Sequence, residues 1–153
     1  MKFQHLLPIF ILLGLNAITA HAQPIYVNDD AGGANTGATW EDAFTSLQDA
    51  LAAAAAAGEI WVAEGICLPA ALGGSRSASF VLDKNLKLYG GFAGTENSLE
   101  DREDPVDFPT ILSGDLNGDD VENDFQANRG DNAWTVLLIN AGISNEAEID
   151  NQF

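Results

Sequence analysis

The chain has 153 residues, enough for one domain with a hydrophobic core. Its 23 acidic residues outnumber its 6 basic residues and give a formal net charge of −17. Such a surface repels nucleic-acid phosphates and anionic lipids and attracts divalent cations, so the composition argues against nucleic-acid binding.

Residues 1–22 predict a secretory signal peptide. Lys2 precedes an apolar run over residues 6–15, and Ala20 and Ala22 form a small-x-small cleavage site before Gln23. The run is shorter than the ~20 apolar residues of a membrane-spanning helix. We therefore expect a mature chain of residues 23–153, without a membrane span, that is secreted or displayed at the cell surface.

The mature chain contains no histidine, because His5 and His21 both lie in the predicted signal peptide. Catalysis of the Ser-His-Asp and Cys-His types is therefore excluded within residues 23–153. Cys67 is the only cysteine. Its apolar neighbours predict a buried, inert thiol, and the alternative is a reactive one.

Residues 24–28 predict a short strand, and a loop rich in Gly, Asn, Asp and Thr follows it. The one predicted helix covers residues 40–57. Its apolar stripe, with steps of three and four residues, consists of Trp40, Phe44, Leu47, Leu51 and Ala54. Thr39 and Asp42 resemble a capping box, and Gly58 supplies the C-terminal end.

Four apolar, strand-like runs begin at residues 60, 86, 111 and 136, that is, every 25 or 26 residues. Such a period is typical of solenoids, and it predicts four parallel strands stacked in one ladder. The helix would then cover the open end of the first coil; the alternative is a helix packed on an ordinary sheet. A further strand begins at Ile149 and leaves its edge uncovered, so we expect a longer solenoid truncated at its C-terminus.

Blocks over residues 24–140 are similar to the N-terminal region of secreted bacterial right-handed parallel β-helix proteins with the pectin-lyase-like fold. The blocks are IYVNDDAGGANTGATWEDAFTSLQDALAAA, EIWVAEG, LKLYGGFAGTENSLEDRED and TILSGDLNGDD. The resemblance implies an all-β right-handed parallel β-helix, with the helix of residues 40–57 at its N-terminal cap. It also implies further coils beyond residue 153 and a surface protein.

The acidic stretch after the third run suggests a calcium site. Asp115, Asn117 and Asp119 have the D-x-N-x-D spacing with which an EF-hand loop begins. The glycine and the bidentate glutamate of that loop are missing, and Asp120, Glu122 or Asp124 would have to substitute. The predicted calcium ligands are therefore Asp115, Asn117, Asp119 and Asp120, and the alternative is a solvated acidic turn.

No catalytic residue can be identified. Polysaccharide lyases of the family that the chain resembles use calcium with an arginine or lysine base, but Arg76, Arg102 and Arg129 do not lie on predicted strands beside carboxylates. For Arg129 we expect a local ion pair. Trp61 and Tyr89 occupy equivalent positions and predict an exterior aromatic stack that stabilises the fold rather than binding sugar.

Three hypotheses for function follow. The first is an exported, adhesin-like scaffold that contacts a polysaccharide or surface glycan. The second is the first part of a polysaccharide lyase or glycoside hydrolase whose active site lies on later coils. The third is a calcium-stabilised binding module that acts alone. Calcium is the only cofactor that the sequence suggests.

Overall fold

The structure is a computed structural model and describes residues 23–102, residues 104–140 and the backbone of residues 148–150. The predicted signal peptide, residues 1–22, lies outside these ranges. The elements in chain order are β1 (Ile25–Val27), α1 (Leu47–Ala53), β2 (Gly58–Ala63), β3 (Gly65–Cys67), β4 (Phe80–Leu82), β5 (Leu86–Phe92), a 3-10 turn (Leu99–Asp101), β6 (Thr110–Leu112), β7 (Leu137–Ile139) and β8 (Glu148–Asp150). None of the helices in the described ranges has the length and hydropathy that crossing a bilayer requires.

The strands form three small sheets, and every pair is parallel. The largest sheet has four strands in the order β1-β2-β5-β8, whereas β3 pairs only with β6 and β4 only with β7. Register in the large sheet places Ile60 beside Ile25 on one side and beside Leu88 on the other. The strand predicted near Ile149 is confirmed as β8, which pairs with β5.

The prediction of an all-β right-handed parallel β-helix is wrong. Of the four apolar runs, only those at residues 60 and 86 pair with each other, as β2 and β5. The run at residue 111 lies in β6 and pairs with β3, and the run at residue 136 leads into β7, which pairs with β4. The described residues form a small mixed fold of three separate parallel sheets and one α-helix, with no closed or solenoid sheet.

The physical reason is that even spacing shows where strands occur but not which strands pair. β3 has only three residues, too few for a period-two pattern, so periodicity in the sequence did not predict a strand there. Because β3 and β4 lie between the first two runs, they are available as partners for the later ones. The third and fourth runs take these partners instead of extending the ladder of β2 and β5.

The helix is also shorter than predicted, since α1 begins after Ser46 and not at residue 40. The backbone of Phe44 bonds to β1: Phe44 N donates to Tyr26 O, and Asn28 N donates to Phe44 O, each at 2.9 Å. The predicted bond from Asp42 N to Thr39 Oγ1 forms at 3.1 Å, but in a turn and not at a helix start. Tertiary bonding here overrides the helical periodicity of the sequence.

The C-terminal end of α1 is held by a lysine from another part of the chain. Ala54 has an extended conformation, with φ −63° and ψ 136°, so the alanine run does not continue the helix to residue 57. Lys84 Nζ donates to Leu51 O at 3.2 Å and to Ala54 O at 3.0 Å. A cation at this end also suits the helix dipole.

Two apolar clusters lie on the two faces of the β2–β5 pair. One contains the inward residues of both strands together with Phe80, Leu82 and the buried face of α1. The other contains Trp61, Tyr89 and Phe92, with Leu99 packed against it. Trp61 and Tyr89 are register partners, as expected. The prediction of an exterior stack is wrong, however, because the two residues lie in a cluster against which Tyr26 and Trp40 also pack, and only 5% and 4% of them is exposed.

Candidate metal centre

The acidic loop, residues 115–132, follows β6 and is organised around the first of its aspartates. Asp115 Oδ1 accepts a bond from Gly118 N at 2.8 Å, and Asp115 Oδ2 accepts one from Asp120 N at 2.9 Å. Gly118 has φ +69°, a conformation that glycine adopts without strain and that lets the turn close around the carboxylate. The amide of Asp120, followed by the other amides of the turn, holds the pKa of Asp115 below its ordinary value.

The turn brings three carboxylates together. Ligand oxygens of Asp115, Asp119 and Asp120 all lie within 4.8 Å of one another, so this acidic triad has the spacing to hold a metal ion. The pKa of Asp119 is raised, first by desolvation and then by the negative charges of Asp131, Asp115 and Asp120. Asp131 therefore adds a fourth carboxylate to the electrostatic surroundings of the triad.

Asp120 uses only one of its two carboxylate oxygens within the protein. Its Oδ2 accepts bonds from Arg129 Nη1 at 2.6 Å and from Asn132 Nδ2 at 2.9 Å. Its Oδ1 is buried without a hydrogen-bond partner among the described residues. The expected ion pair of Arg129 is therefore present, and it is partly shielded, with 36% of the Arg129 side chain and 19% of the Asp120 side chain exposed.

Two more oxygens of the loop are buried without a hydrogen-bond partner within the described ranges, like Asp120 Oδ1. Asp131 Oδ2 and Asn132 Oδ1 are both buried without a donor in the described part of the chain. Carboxylate and amide oxygens accept hydrogen bonds but cannot donate them, so each of the three needs a cation or a water molecule. Arg129 Nε, a donor, also lacks a partner, and a water molecule would serve both kinds of atom.

The structure therefore brings together three of the four predicted ligands. Asn117 is different: its Oδ1 lies 3.7 Å from the position that a Cβ would take on Gly73, which puts it beside the β3–β4 connection. Asp124, considered as a substitute ligand, turns its carboxylate to its own backbone and accepts bonds from Gln126 N and Ala127 N at 2.9 and 3.1 Å.

The roles of Arg129, Asp131 and Asn132 were missed by sequence reasoning about ligands. They follow Asp120 by nine to twelve residues, and only the fold of the intervening segment returns them to the triad. No spacing rule predicts that return. The only available signal was their polarity, which they share with most of residues 115–132.

The other two arginines have different partners. Arg76 Nε donates to Asn132 O at 2.7 Å, and its guanidinium lies 5.6 Å from the centroid of the Trp134 ring. Arg102 Nη1 donates to Gly90 O at 3.1 Å, and its guanidinium lies 5.8 Å from the centroid of the Phe92 ring. Of the three arginines, Arg129 is the one for which the described residues show a contact with the acidic triad.

No family model, curated protein or solved structure matches this chain. The similarity to secreted β-helix proteins therefore stays a prediction from the quoted sequence blocks, and the observed sheets do not support the fold that it implies.

Proposed function

We propose that this chain is an exported binding module whose acidic loop is held in one conformation by calcium. The observation that carries the proposal is the coincidence of the acidic triad with three buried oxygens, on Asp120, Asp131 and Asn132, that receive no hydrogen bond from the described residues. The predicted signal peptide supports export to surroundings where calcium reaches millimolar concentrations.

The chemistry of the donor set favours calcium over other metals. The groups at the loop are carboxylate and amide oxygens, which hard cations prefer, whereas zinc prefers the histidine and cysteine that this loop lacks. Calcium accepts six to eight oxygens in flexible geometry, and magnesium demands near-ideal octahedral geometry. Ligands spread along an irregular loop suit the more tolerant ion.

Charge also favours a divalent cation. Asp115, Asp119, Asp120 and Asp131 carry four negative charges, and Arg129 compensates one of them. A net charge of about −3 remains in a small volume, so the like charges repel each other until a cation joins them. We infer that Arg129 partly neutralises the loop when calcium is absent, and that calcium holds the loop in one conformation when it binds.

The loop is connected to the rest of the protein, so its order affects more than its own residues. Gly73 N donates to Leu116 O at 3.1 Å, and Ala133 N donates to Gly114 O at 2.7 Å. Leu116 itself is fully buried. Through the bond to Gly73, a cation in the loop would also steady the β3–β4 connection, in which Leu72 is 72% exposed.

Calcium titration of the purified, chelator-treated chain tests the proposal by calorimetry and thermal unfolding. Extracellular calcium modules commonly have Kd values of ~0.1–1 mM. Calcium at about ten times Kd should raise the free energy of unfolding by about 1.4 kcal/mol. Magnesium at the same concentration should have a smaller effect.

Matched variants locate the site. Asp119→Asn and Asp131→Asn should abolish the calcium effect, whereas Asp83→Asn, an exposed acidic position outside the loop, should keep it. An unfolding midpoint unchanged by about 10 mM calcium, or an equal response in the Asp119→Asn and Asp83→Asn variants, would contradict the proposal.

A further inference from the structure

One edge of strand β3 is open. In the parallel pair β3–β6, Gly65 N donates to Pro109 O at 3.0 Å, and Cys67 O accepts from Ser113 N at 2.9 Å. Successive residues of a strand direct their backbone groups to opposite sides, so Ile66 must turn its N–H and C=O away from β6. Within the described ranges, no strand pairs with β3 on that side.

The neighbouring edges, by contrast, are covered. Phe44 bonds to both Tyr26 and Asn28 and so closes the outer edge of β1. Next to β4, Gln48 Nε2 donates to Pro69 O at 2.8 Å and to Ser79 O at 2.9 Å. The backbone of Phe44 therefore covers the edge of β1, and the side chain of Gln48 covers the backbone next to β4. The edge of β3 has no such cover among the described residues, and we call it the gap.

A cleft of about 500 Å³ occupies this gap. Its apolar lining includes Val27, Leu47, Val62, Ala63, Cys67 and Leu68. The volume falls within the range of ordinary ligand sites. Burial, and then the charge of Asp29, raises the pKa of the Cys67 thiol to about 11, so the thiol is neutral at physiological pH and adds to the apolar wall.

The mouth of the cleft is acidic. Asp29 and Glu64 line it, and they also line an adjoining hollow that includes Asp30. Neither lining contains a lysine or an arginine. Gly65 has φ +135°, and a Cβ there would lie only 2.8 Å from Asp29 Oδ1, so the absence of a side chain lets the carboxylate lie against β3.

We propose that this cleft binds an extended peptide segment of another protein that carries a lysine or arginine. The segment adds to β3 as a strand and bonds through its main chain to the N–H and C=O of Ile66. One side chain enters the apolar floor, and the basic side chain pairs with Asp29 and Glu64. Main-chain bonds to a sheet edge with pockets for alternate side chains are a general mode of peptide recognition. The charge of the cleft selects a basic partner over an acidic one.

Titration with blocked pentapeptides, followed through the backbone amide signals of Ile66 and Cys67, tests the proposal. Acetyl-Val-Lys-Val-Arg-Val-amide should give saturable shifts at both amides, with and without calcium. The same peptide with its central amide N-methylated, and acetyl-Val-Glu-Val-Glu-Val-amide, should bind more weakly. Asp29→Asn and Glu64→Gln should each weaken the basic peptide roughly two- to fivefold, and Asp83→Asn should leave its affinity unchanged.

Each other outcome overturns the proposal. Equal binding of the N-methylated peptide, or of butylamine, would mean that the cleft recognises a cation and not a strand. Equal binding of the glutamate peptide would remove the role of the acidic mouth. Shifts at Ile66 that depend on protein concentration without peptide would show that a second copy of this chain occupies the edge. No saturable shift up to about 5 mM peptide would show no useful site.

Discussion

The two apolar clusters around β2 and β5 and the acidic loop are stabilised in opposite ways. In the first region, side chains such as Ile60 and Phe92 have no exposed surface, and their burial needs nothing from the solvent. Among the described residues of the second region, Leu116 is the one fully buried apolar side chain. The carboxylate of Asp115 there accepts bonds from the backbone of its own turn. We therefore expect the first region to be insensitive to calcium and the second to gain order from it.

We expect the largest loss of stability when a buried ring is removed from the apolar clusters around β2 and β5. Phe92→Ala removes a ring that has no exposure and stacks on Trp61 at 4.9 Å between centroids. It should lower the free energy of unfolding by about 3–5 kcal/mol, with or without calcium. Denaturant unfolding measures the loss.

Phe125→Ala is the matched control in the acidic loop. Phe125 is 86% exposed, so its removal should change the free energy of unfolding by no more than about 0.5 kcal/mol. A loss as large as that of Phe92→Ala would break the comparison, because it would mean that the loop has an apolar core of its own.

A middle effect is expected at the end of α1. Lys84→Met keeps most of the apolar side chain but removes the charged donor to Leu51 O and Ala54 O. We expect a loss of about 1–2 kcal/mol in thermal or denaturant unfolding. Lys87→Met is the control: Lys87 pairs with Glu59 at 3.5 Å on the surface, and its loss should be smaller. If both variants lose the same free energy of unfolding, the contact of Lys84 with the end of α1 contributes no more than a surface ion pair.

The smallest effect is a loss of stability at low pH through Asp124. Bonds from Gln126 N and Ala127 N, and then the charge of Arg129, lower the pKa of Asp124. A lowered folded-state pKa adds stability above the unfolded value of about 3.9, and that stability is lost as the pH falls through the folded-state pKa. Asp124→Asn should therefore lose less stability than the parent chain between about pH 5 and pH 2. Thermal unfolding across this range measures it, and an unchanged acid slope would contradict the assignment.

The sequence predicted the positions of most strands but not their partners. The apolar runs predicted to begin at residues 60 and 86 lie within β2 and β5. Three-residue strands such as β3 carry too little alternation to specify register, so pairing depends on the packing of the whole chain. The helix was predicted too long for a similar reason, since Phe44 fits the helical stripe but bonds to β1.

The candidate site was predicted as far as local geometry determines it. The D-x-N-x-D spacing places Asp115 and Asp119 in one turn, and a turn is a local structure. Asp131 and Asn132 are distant in sequence and reach the triad through the fold of the acidic loop. Local spacing therefore predicts part of a ligand set, whereas the groups that complete the set depend on tertiary structure.

Backbone hydrogen exchange with and without calcium shows whether calcium orders the acidic loop. Calcium should slow exchange at Gly118 N and Asp120 N, which bond to Asp115, while exchange in β2 and β5 should not change beyond the global gain in stability. Equal slowing in both regions, or none at the two loop amides, would contradict the view that calcium orders the acidic loop.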